Sequence, residues 1–261
     1  MLFIFFIISF LASIIGAICG IGGGVIIKPL LDAIGILGVS EISFLSGCTV
    51  LSMAVISVVK SMRRNEKLIQ IKTSMPIAIG AAIGGLIGKS LFRYFYVLCP
   101  NQDTVGAIQA GVLLLLNIGT ILYCLYKGKI RTYRIQRIEM ILVVGIVLGL
   151  LSAFLGIGGG PFNLIALAFF FSMETKKAVV NSLYIILFSQ AASIISTVVK
   201  HQVPNVDWFL LVVMVSAGVA GGMVGSKVNN KISEEKVNKL FVLLLVVIIG
   251  ICIYNIFRFT R

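Results

Sequence analysis

Charged residues are scarce in this chain, and acidic residues and histidine are the scarcest. Only 12% of the 261 residues are charged, with nine Asp and Glu and a single histidine. A soluble domain carries about 25% charged residues. The sequence also lacks the G-x-S-x-G and H-E-x-x-H motifs, which bring nucleophile, base or metal ligands together in two classes of hydrolase. We therefore expect no enzyme and no catalytic residue.

Cysteine and acidic residues also fail to form ligand patterns. The five cysteines show no C-x-x-C and no metal spacing. We thus expect no disulfide, no metal site and no cofactor. The acidic residues all lie near the ends of apolar segments, at Asp32, Glu41, Glu66, Asp103, Glu139, Glu174, Asp207, Glu234 and Glu235. With no carboxylate inside a span, the pattern favours an anion or a neutral substrate over a metal cation.

Long uncharged apolar runs dominate what is present. They cover residues 1–27, 42–59, 73–88, 104–126, 140–173, 178–199, 208–226 and 240–257. A run of roughly 18 apolar residues suffices to span a bilayer. The sequence predicts an all-α polytopic protein of the cell membrane, with the lipid bilayer as its partner. Its net charge of +13 comes from basic loops between spans, as the positive-inside rule predicts, so we expect no nucleic-acid partner.

An internal repeat divides the chain into two halves. AICGIGGGVII (17–27) and AFLGIGGGPFN (153–163) share G-I-G-G-G, and GAAIGGLIGKS (80–90) matches GVAGGMVGSK (218–227). We expect a first transmembrane repeat at 1–126, a basic cytoplasmic linker at 127–137 and a second repeat at 138–261. In the second pair of motifs, Gly84, Gly88, Gly221 and Gly225 have four-residue spacing, which favours tight helix packing.

The distribution of Lys and Arg predicts how the halves are oriented. If each glycine-broken segment, 2–38 and 140–172, dips into the membrane and returns, one side carries 16 Lys and Arg and the other carries six. If all segments simply cross, the split is 13 to nine. The first split fits the positive-inside rule better. We therefore expect helical hairpins and an inverted repeat.

The doubled G-I-G-G-G motif indicates a central site. Unwound backbone at membrane depth persists only where it lines a cavity or meets a ligand. Glycine permits positive φ and close approach to a bound group. A helix that restarts after the glycines directs free N–H groups and partial positive charge into the gap. Two such breaks at matching positions are typical of transporters.

The same motifs carry a resemblance to a known family. The doubled G-I-G-G-G, KPLL (28–31), AVVNSL (178–183) and NVDW (205–208) together resemble the sulfite exporter TauE/SafE family of four-span repeats. The resemblance implies a secondary carrier for small anions such as sulfite, sulfoacetate or thiosulfate, working by alternating access. The first half departs from the pattern, since SFLSGCTV (43–50) replaces A-V-x-T-S-L and Lys28 stands where an apolar residue is common.

The substrate-binding residues we expect lie around the two breaks and on the helices that follow them. They are Gly22, Gly23, Gly24, Lys28, Ser46, Thr49, Gly158, Gly159, Gly160, Asn163, Asn181 and Ser182. Glycines would offer amide N–H groups, and the Ser, Thr and Asn side chains would offer hydroxyl or amide donors. We align Ser46 with Asn181 in the repeat.

Several alternatives stay open at this point. Ser and Thr hydroxyls in a helix also bond back to their own carbonyls. Lys28 either neutralises an anionic substrate or extends to the membrane surface. An anion channel, or a structural or assembly protein without transport, would share most of these features. The sequence leaves the substrate, the direction of transport, the coupling ion and homo-oligomer formation undecided.

Overall fold

Every regular element in the described part of the chain is a helix. The computed structural model describes residues 2–63, 68–99, 101–127 and 129–260, without the side chain of Gln102. Residues 64–67 of the basic loop 60–72, and residue 128 of the linker, lie outside the described residues. The helices are α1 (Leu2–Cys19), α2 (Gly24–Ile34), α3 (Val39–Met62), α4 (Ile71–Leu98), α5 (Gln102–Tyr126), α6 (Ile138–Leu155), α7 (Pro161–Phe171), α8 (Thr175–Val199), α9 (Trp208–Lys231) and α10 (Glu234–Phe259).

Eight of these helices are long and apolar enough to cross a membrane, and the other two, α2 and α7, have 11 residues each. The predicted all-α polytopic membrane protein is confirmed. Polar residues fix several helix starts. The side chains of Asn101 and Asp207 accept hydrogen bonds from the amides of Asp103 and Phe209, at 3.0 and 2.8 Å. Such caps satisfy amides that have no partner within the helix.

The chain reverses direction at the first glycine break. A methyl group on Gly23 would lie 3.2 Å from the backbone of Ala12 and Ser13, so the start of α2 lies beside the middle of α1. At the far end of α2, Gly35 lies against Arg258, near the end of α10. Helix α2 therefore runs back along α1 instead of continuing across the bundle.

The second glycine break is followed by the same kind of return. The amides of Tyr133 and Ile135, just before α6, donate to the carbonyls of Phe169 and Phe170 at the end of α7, at 2.7 and 3.0 Å. The end of α7 thus lies beside the segment that leads into α6. Each glycine-broken segment consists of one long and one short helix joined at the break.

Glycine-rich faces pack α4 against α6 with almost no space between their backbones. A methyl group on Gly84 would overlap the carbonyl of Ile146, and one on Gly88 would overlap that of Leu150. The contacts advance together along both helices, so α4 and α6 are parallel. Small residues permit this close approach in membranes.

The pair formed by α1 and α9 has the same arrangement. Gly221 packs on the carbonyl of Phe10, and Gly225 packs on that of Ile14, so these two helices are also parallel. Each half therefore contributes its glycine-rich helix to the first helix of the other half. The expected packing role of Gly84, Gly88, Gly221 and Gly225 is confirmed.

Replacing Gly84 by alanine should destabilise the fold, because the new methyl group overlaps the backbone of Ile146. We expect a loss of about 1–3 kcal/mol, typical of overpacking. Gly119→Ala is the matched control, since nothing lies within 4 Å of its added methyl group. Thermal unfolding of the purified variants measures the difference. Equal apparent melting temperatures for the two variants would contradict the packing.

Candidate functional site

The two glycine breaks have the backbone conformation that the sequence predicts for them. Gly20 and Gly22 have φ of 71° and 74°, and Gly156 and Gly158 have φ of 65° and 72°. Gly159 lies at 130°. Residues other than glycine rarely adopt these φ values. The breaks are therefore built by glycine, and both interrupt the helices that the apolar runs would otherwise continue.

The two breaks meet in the interior of the bundle. Gly24 packs on the carbonyl of Ile157, and a methyl group on Gly22 would lie 3.5 Å from the carbonyl oxygen of Gly158. Residues 20–24 and 157–160 are all buried. Two segments that are 136 residues apart in the chain thus form one crossing, which we call the glycine crossing (residues 20–24 and 156–160).

Helices α3 and α8 enclose the glycine crossing in matching ways. Gly156 packs on Ser43 of α3, and Gly20 packs on Val179 of α8, each against the other half. Val50 of α3 and Ile186 of α8 close it from two sides, against Gly158 and Gly159 respectively. Both pairs of partners, Ser43 with Val179 and Val50 with Ile186, differ by 136 residues.

That spacing corrects the alignment of the two halves. The interval of 136 residues between matching contacts pairs Ser46 with Ser182. Asn181 then corresponds to Leu45, so our pairing of Ser46 with Asn181 is wrong by one residue. The short motif alignment could not detect the shift, because AVVNSL and SFLSGCTV share too few residues to fix the register.

Polar groups without partners lie around the glycine crossing. The hydroxyls of Ser46 and Ser182 and the side-chain oxygen of Asn163 are buried and have no hydrogen-bond partner among the described residues. A methyl group on Gly24 would lie 3.0 Å from Ser46 Oγ, and one on Gly159 would lie 3.5 Å from Asn163 Nδ2. Ser46 and Asn163 therefore lie at the crossing, and Ser182 is the residue of α8 that corresponds to Ser46.

Backbone amides of the crossing are also free. Within the described chain, the amides of Gly22, Gly23, Gly158, Gly159 and Gly160 donate no backbone hydrogen bond. Helices α2 and α7 begin directly after them, so the positive ends of two helix dipoles are directed to the same place. The arrangement can accept a small group that carries several hydrogen-bond acceptors.

Two of the expected residues use their polar groups elsewhere. Thr49 Oγ1 donates to the carbonyl of Leu45 at 2.8 Å, which is the helical back-bond left open as an alternative. Asn181 accepts from the amide of Gln70 at 3.0 Å and from the Ser74 hydroxyl, and it donates to the carbonyl of Leu68 at 2.9 Å. Asn181 thereby ties α8 to the start of α4.

Lys28 does not extend to the membrane surface. Its Nζ lies 2.9 Å from Asp32 Oδ2, and the two residues are 2% and 6% exposed. Asp32 lies near the end of its segment, as expected, but α2 folds back into the bundle and buries the carboxylate. The four-residue spacing of Lys28 and Asp32 on one helix was the available signal for this pair.

A basic vestibule (Lys89, Arg93 and Lys200) was not anticipated as part of the site. These side chains, with Ser90, Tyr94 and Ser196, line a cavity of about 320 Å³. None of the three takes part in an ion pair between described residues. Lys89 also lines a narrower cleft that reaches Gly47, Gly156 and Gln190. The signal in the sequence was that these three cations are among the six Lys and Arg that the hairpin topology places on the less basic side of the membrane.

A second cavity of about 160 Å³ approaches from the other end of the bundle. Thr175 and Ala178, at the start of α8, line it, whereas Ser196 and Lys200, at the end of α8, line the basic vestibule. A 25-residue helix is about 37 Å long, so the two cavities lie at opposite ends. The second cavity also contacts Cys19, next to the first break.

Comparisons with known proteins find a family of exporters and relatives described as membrane transporters. The sequence pattern of the family described as Sulfite exporter TauE/SafE matches residues 5–251. A protein of Bacillus subtilis described as a probable membrane transporter is 21% identical, over 93% of this chain and 93% of its own. A protein of Methanocaldococcus jannaschii with the same description is 26% identical, over 88% of this chain and 86% of its own. No solved structure matches.

The contacts of Asn181 and Ser182 predict that removing the first side chain lowers the stability of the fold and that removing the second does not. Asn181→Ala should cost about 1–3 kcal/mol of stability, because it leaves the amide of Gln70 and the carbonyl of Leu68 without their partner. Ser182→Ala should cost almost nothing, because its hydroxyl has no partner to lose. Thermal unfolding in detergent compares these adjacent positions, and an equal loss in both variants would contradict the assignment.

Proposed function

This chain belongs to the sulfite exporter TauE/SafE family, and from that membership we propose that it moves a small anion by secondary transport. The chain is a multi-pass membrane protein and a membrane transporter, as its family and its relatives are described. For the substrate we propose a sulfur-containing anion such as sulfite, sulfoacetate or thiosulfate. The family description supports this class, and the chemistry of the site supports the anion.

We propose that the glycine crossing is the substrate site. Its free amides, at Gly22, Gly23, Gly158, Gly159 and Gly160, are donors, and sulfur oxyanions are rich in acceptor oxygens. Gly24 lets the two breaks approach each other closely. Ser46, Ser182 and Asn163 add polar side chains. The N-termini of α2 and α7 favour a negative ligand.

The basic vestibule is the observation that carries the proposal of an anion. Lys89, Arg93 and Lys200 converge on one cavity, and no carboxylate lines it. A cleft lined by one sign of charge raises the local concentration of the opposite ion. Through Lys89 the vestibule connects to the cleft beside Gly156 and Gln190. Lys28 has a lesser direct role than its sequence position indicates, since Asp32 neutralises it.

We further propose that residues 1–126 and 138–261 form inverted repeats that alternate access to the glycine crossing, with 127–137 as the cytoplasmic linker. The returns of α2 and α7 and the two parallel helix pairs support the inversion. Cavities at opposite ends of α8 support two routes to one site. Between those cavities the crossing is closely packed, which favours a carrier over a channel.

Flux assays in proteoliposomes test the proposal. We expect saturable uptake of at least one anion from a panel of labelled sulfite, sulfate, thiosulfate, sulfoacetate and short carboxylates. Gly159→Leu should abolish that flux, because its φ of 130° and the overlap with Ile186 exclude a side chain. Lys89→Gln should raise KM more than it lowers the maximal rate, since it weakens attraction of the anion.

Gly119→Leu is the matched control, because position 119 is exposed and has nothing within 4 Å of its added methyl group. This variant should insert and transport like the unaltered protein. Full flux in Gly159→Leu would contradict the assignment of the site. Absence of flux for every anion in well-folded protein would favour a structural or assembly role.

A further inference from the structure

A polar cleft lies between α3 and α9, at the end of the bundle opposite the basic vestibule. We call it the inner cleft, and its polar side chains are Ser57, Lys60, Ser61, Ser226, Asn229 and Asn230. It also contacts Val179 near the start of α8, on which Gly20 of the glycine crossing packs. The inner cleft therefore reaches the edge of the crossing, although its cavity has a volume of only about 30 Å³.

The internal repeat relates the inner cleft to the narrow cleft below the basic vestibule, beside Gly156 and Gln190. Matching positions, each pair 136 residues apart, line the two clefts, among them Ser193 with Ser57, Thr197 with Ser61, Ser43 with Val179, and Gly47 with Leu183. Both clefts are lined by α3 and α8, with the roles of these two helices exchanged. The chain thus builds the same cleft twice, once at each end of the bundle.

Each cleft has a lysine at its opening, although different helices supply it. The glycine motifs align Lys89 of α4 with Ser226 of α9, so this vestibule lysine has an uncharged counterpart. Conversely, Ser196 of α8, which lines the vestibule, matches Lys60 of α3 in the inner cleft. A positive charge is therefore present at both openings, even though the repeat does not place it at matching positions.

Three hydroxyl groups of the inner cleft are buried and have no hydrogen-bond partner among the described residues. They belong to Ser57, Ser61 and Ser226. A hydroxyl in a helix commonly donates to a carbonyl one turn earlier, as Thr197 does to Ser193 at 2.9 Å in the other cleft. Ser61, the counterpart of Thr197, is without this bond. Unpaired hydroxyls are costly inside a protein, so the cleft favours a ligand that bonds to them.

Lys60 determines the charge of that ligand. Its Nζ donates to the carbonyl of Met223 at 2.9 Å, and it forms no ion pair with a described residue. No carboxylate of the described chain lines the inner cleft. An ammonium group beside hydroxyl and amide donors suits a small oxyanion, because hydrogen bonds to a charged partner are the strong ones. The same ammonium group disfavours a metal cation.

Two hydrogen bonds keep the inner cleft narrow in this structure. The bond from Lys60 to the carbonyl of Met223 ties α3 to α9, and Asn229 Nδ2 donates to the carbonyl of Ile18 at 2.5 Å, which ties α9 to α1. The cavity of the basic vestibule, at about 320 Å³, is about tenfold larger than that of the inner cleft. The structure is thus open at the vestibule and closed at the inner cleft.

From this correspondence we infer that the inner cleft is a second binding site for the transported anion, through which it passes on the cytoplasmic side when the vestibule closes. The inference rests on the proposed anion transport. The positive-inside orientation places the ends of α3 and α9 on the cytoplasmic side. Of the two openings at this end, the inner cleft suits an anion better, since most side chains that line the 160 Å³ cavity are apolar.

Lys60→Gln tests the role of the charge, because glutamine keeps a donor for the carbonyl of Met223. We measure flux of the panel anions from the cytoplasmic face, in inside-out vesicles. KM should rise by about tenfold, since a hydrogen bond to a charged group is lost. From the vestibule face, in right-side-out vesicles, KM should change much less. Lys60→Arg should retain the original KM.

Lys231→Gln is the matched control for surface charge. Lys231 is an exposed lysine at the same end of α9, and it does not line the inner cleft. This variant should transport like the unaltered protein from both faces.

Thiol labelling tests the site without any flux. In a protein whose native cysteines are replaced, Ser57→Cys places a thiol in the inner cleft, where the residue is 3% exposed. The anionic reagent sulfonatoethyl methanethiosulfonate does not cross membranes, and we expect it to label this thiol only from the cytoplasmic face. Sulfoacetate or sulfate, which do not react with the reagent, should slow the labelling several-fold. Ser193→Cys, the matching position, should be labelled only from the vestibule face.

The inferred site would be overturned if the reagent labels Ser57→Cys from neither face, or if Lys60→Gln and Lys231→Gln change KM equally. Labelling and protection of Ser57→Cys in protein that moves no anion would support the site and overturn the transport proposal. Flux with an unprotected Ser57→Cys would overturn the site and leave the transport proposal intact. If melting temperatures show that Ser57→Cys fails to fold, Ser61→Cys takes its place.

Discussion

Backbone amides without partners at the centre of the bundle impose the constraint on which the rest of this structure depends. Such groups cannot face lipid, because nothing there can bond to them. Both glycine breaks are accordingly buried against one another, with Gly24 on the carbonyl of Ile157. Helices α3 and α8 cover them with Val50 and Ile186. The close glycine contacts of α4 with α6 and of α1 with α9 hold the two broken helices in position.

Charge is arranged around this centre according to its surroundings. The cations of the vestibule, Lys89, Arg93 and Lys200, line a cavity and stay available to an anion. The buried cation, Lys28, is instead neutralised by Asp32. A buried pair of this kind is costly to desolvate and adds little stability on its own.

The sequence predicts the spans and the breaks because both are local properties. Eight apolar runs, of which 73–88 is slightly shorter than the usual span, correspond to eight spanning helices, and G-I-G-G-G gives glycines with positive φ at Gly22 and Gly158. Tertiary relations are harder to predict. The role of Asn181 depends on a loop more than 100 residues away, at Gln70. The burial of Asp32 depends on the reversal of α2. In the sequence, only the distribution of Lys and Arg between the two sides of the membrane indicates that reversal.

Disulfide cross-linking between the halves tests most directly the claim that each break lies against the other half. In a protein whose other cysteines are replaced, the native Cys19 with Ala178→Cys and Ser43→Cys with Ala153→Cys should both cross-link on oxidation, since each pair lines one cavity beside a glycine contact between the halves and spares the glycines with positive φ. The pairing of Ser43→Cys with Gly119→Cys, an exposed position on α5, should not cross-link. Failure of both contact pairs in folded protein would contradict the crossing of the two halves.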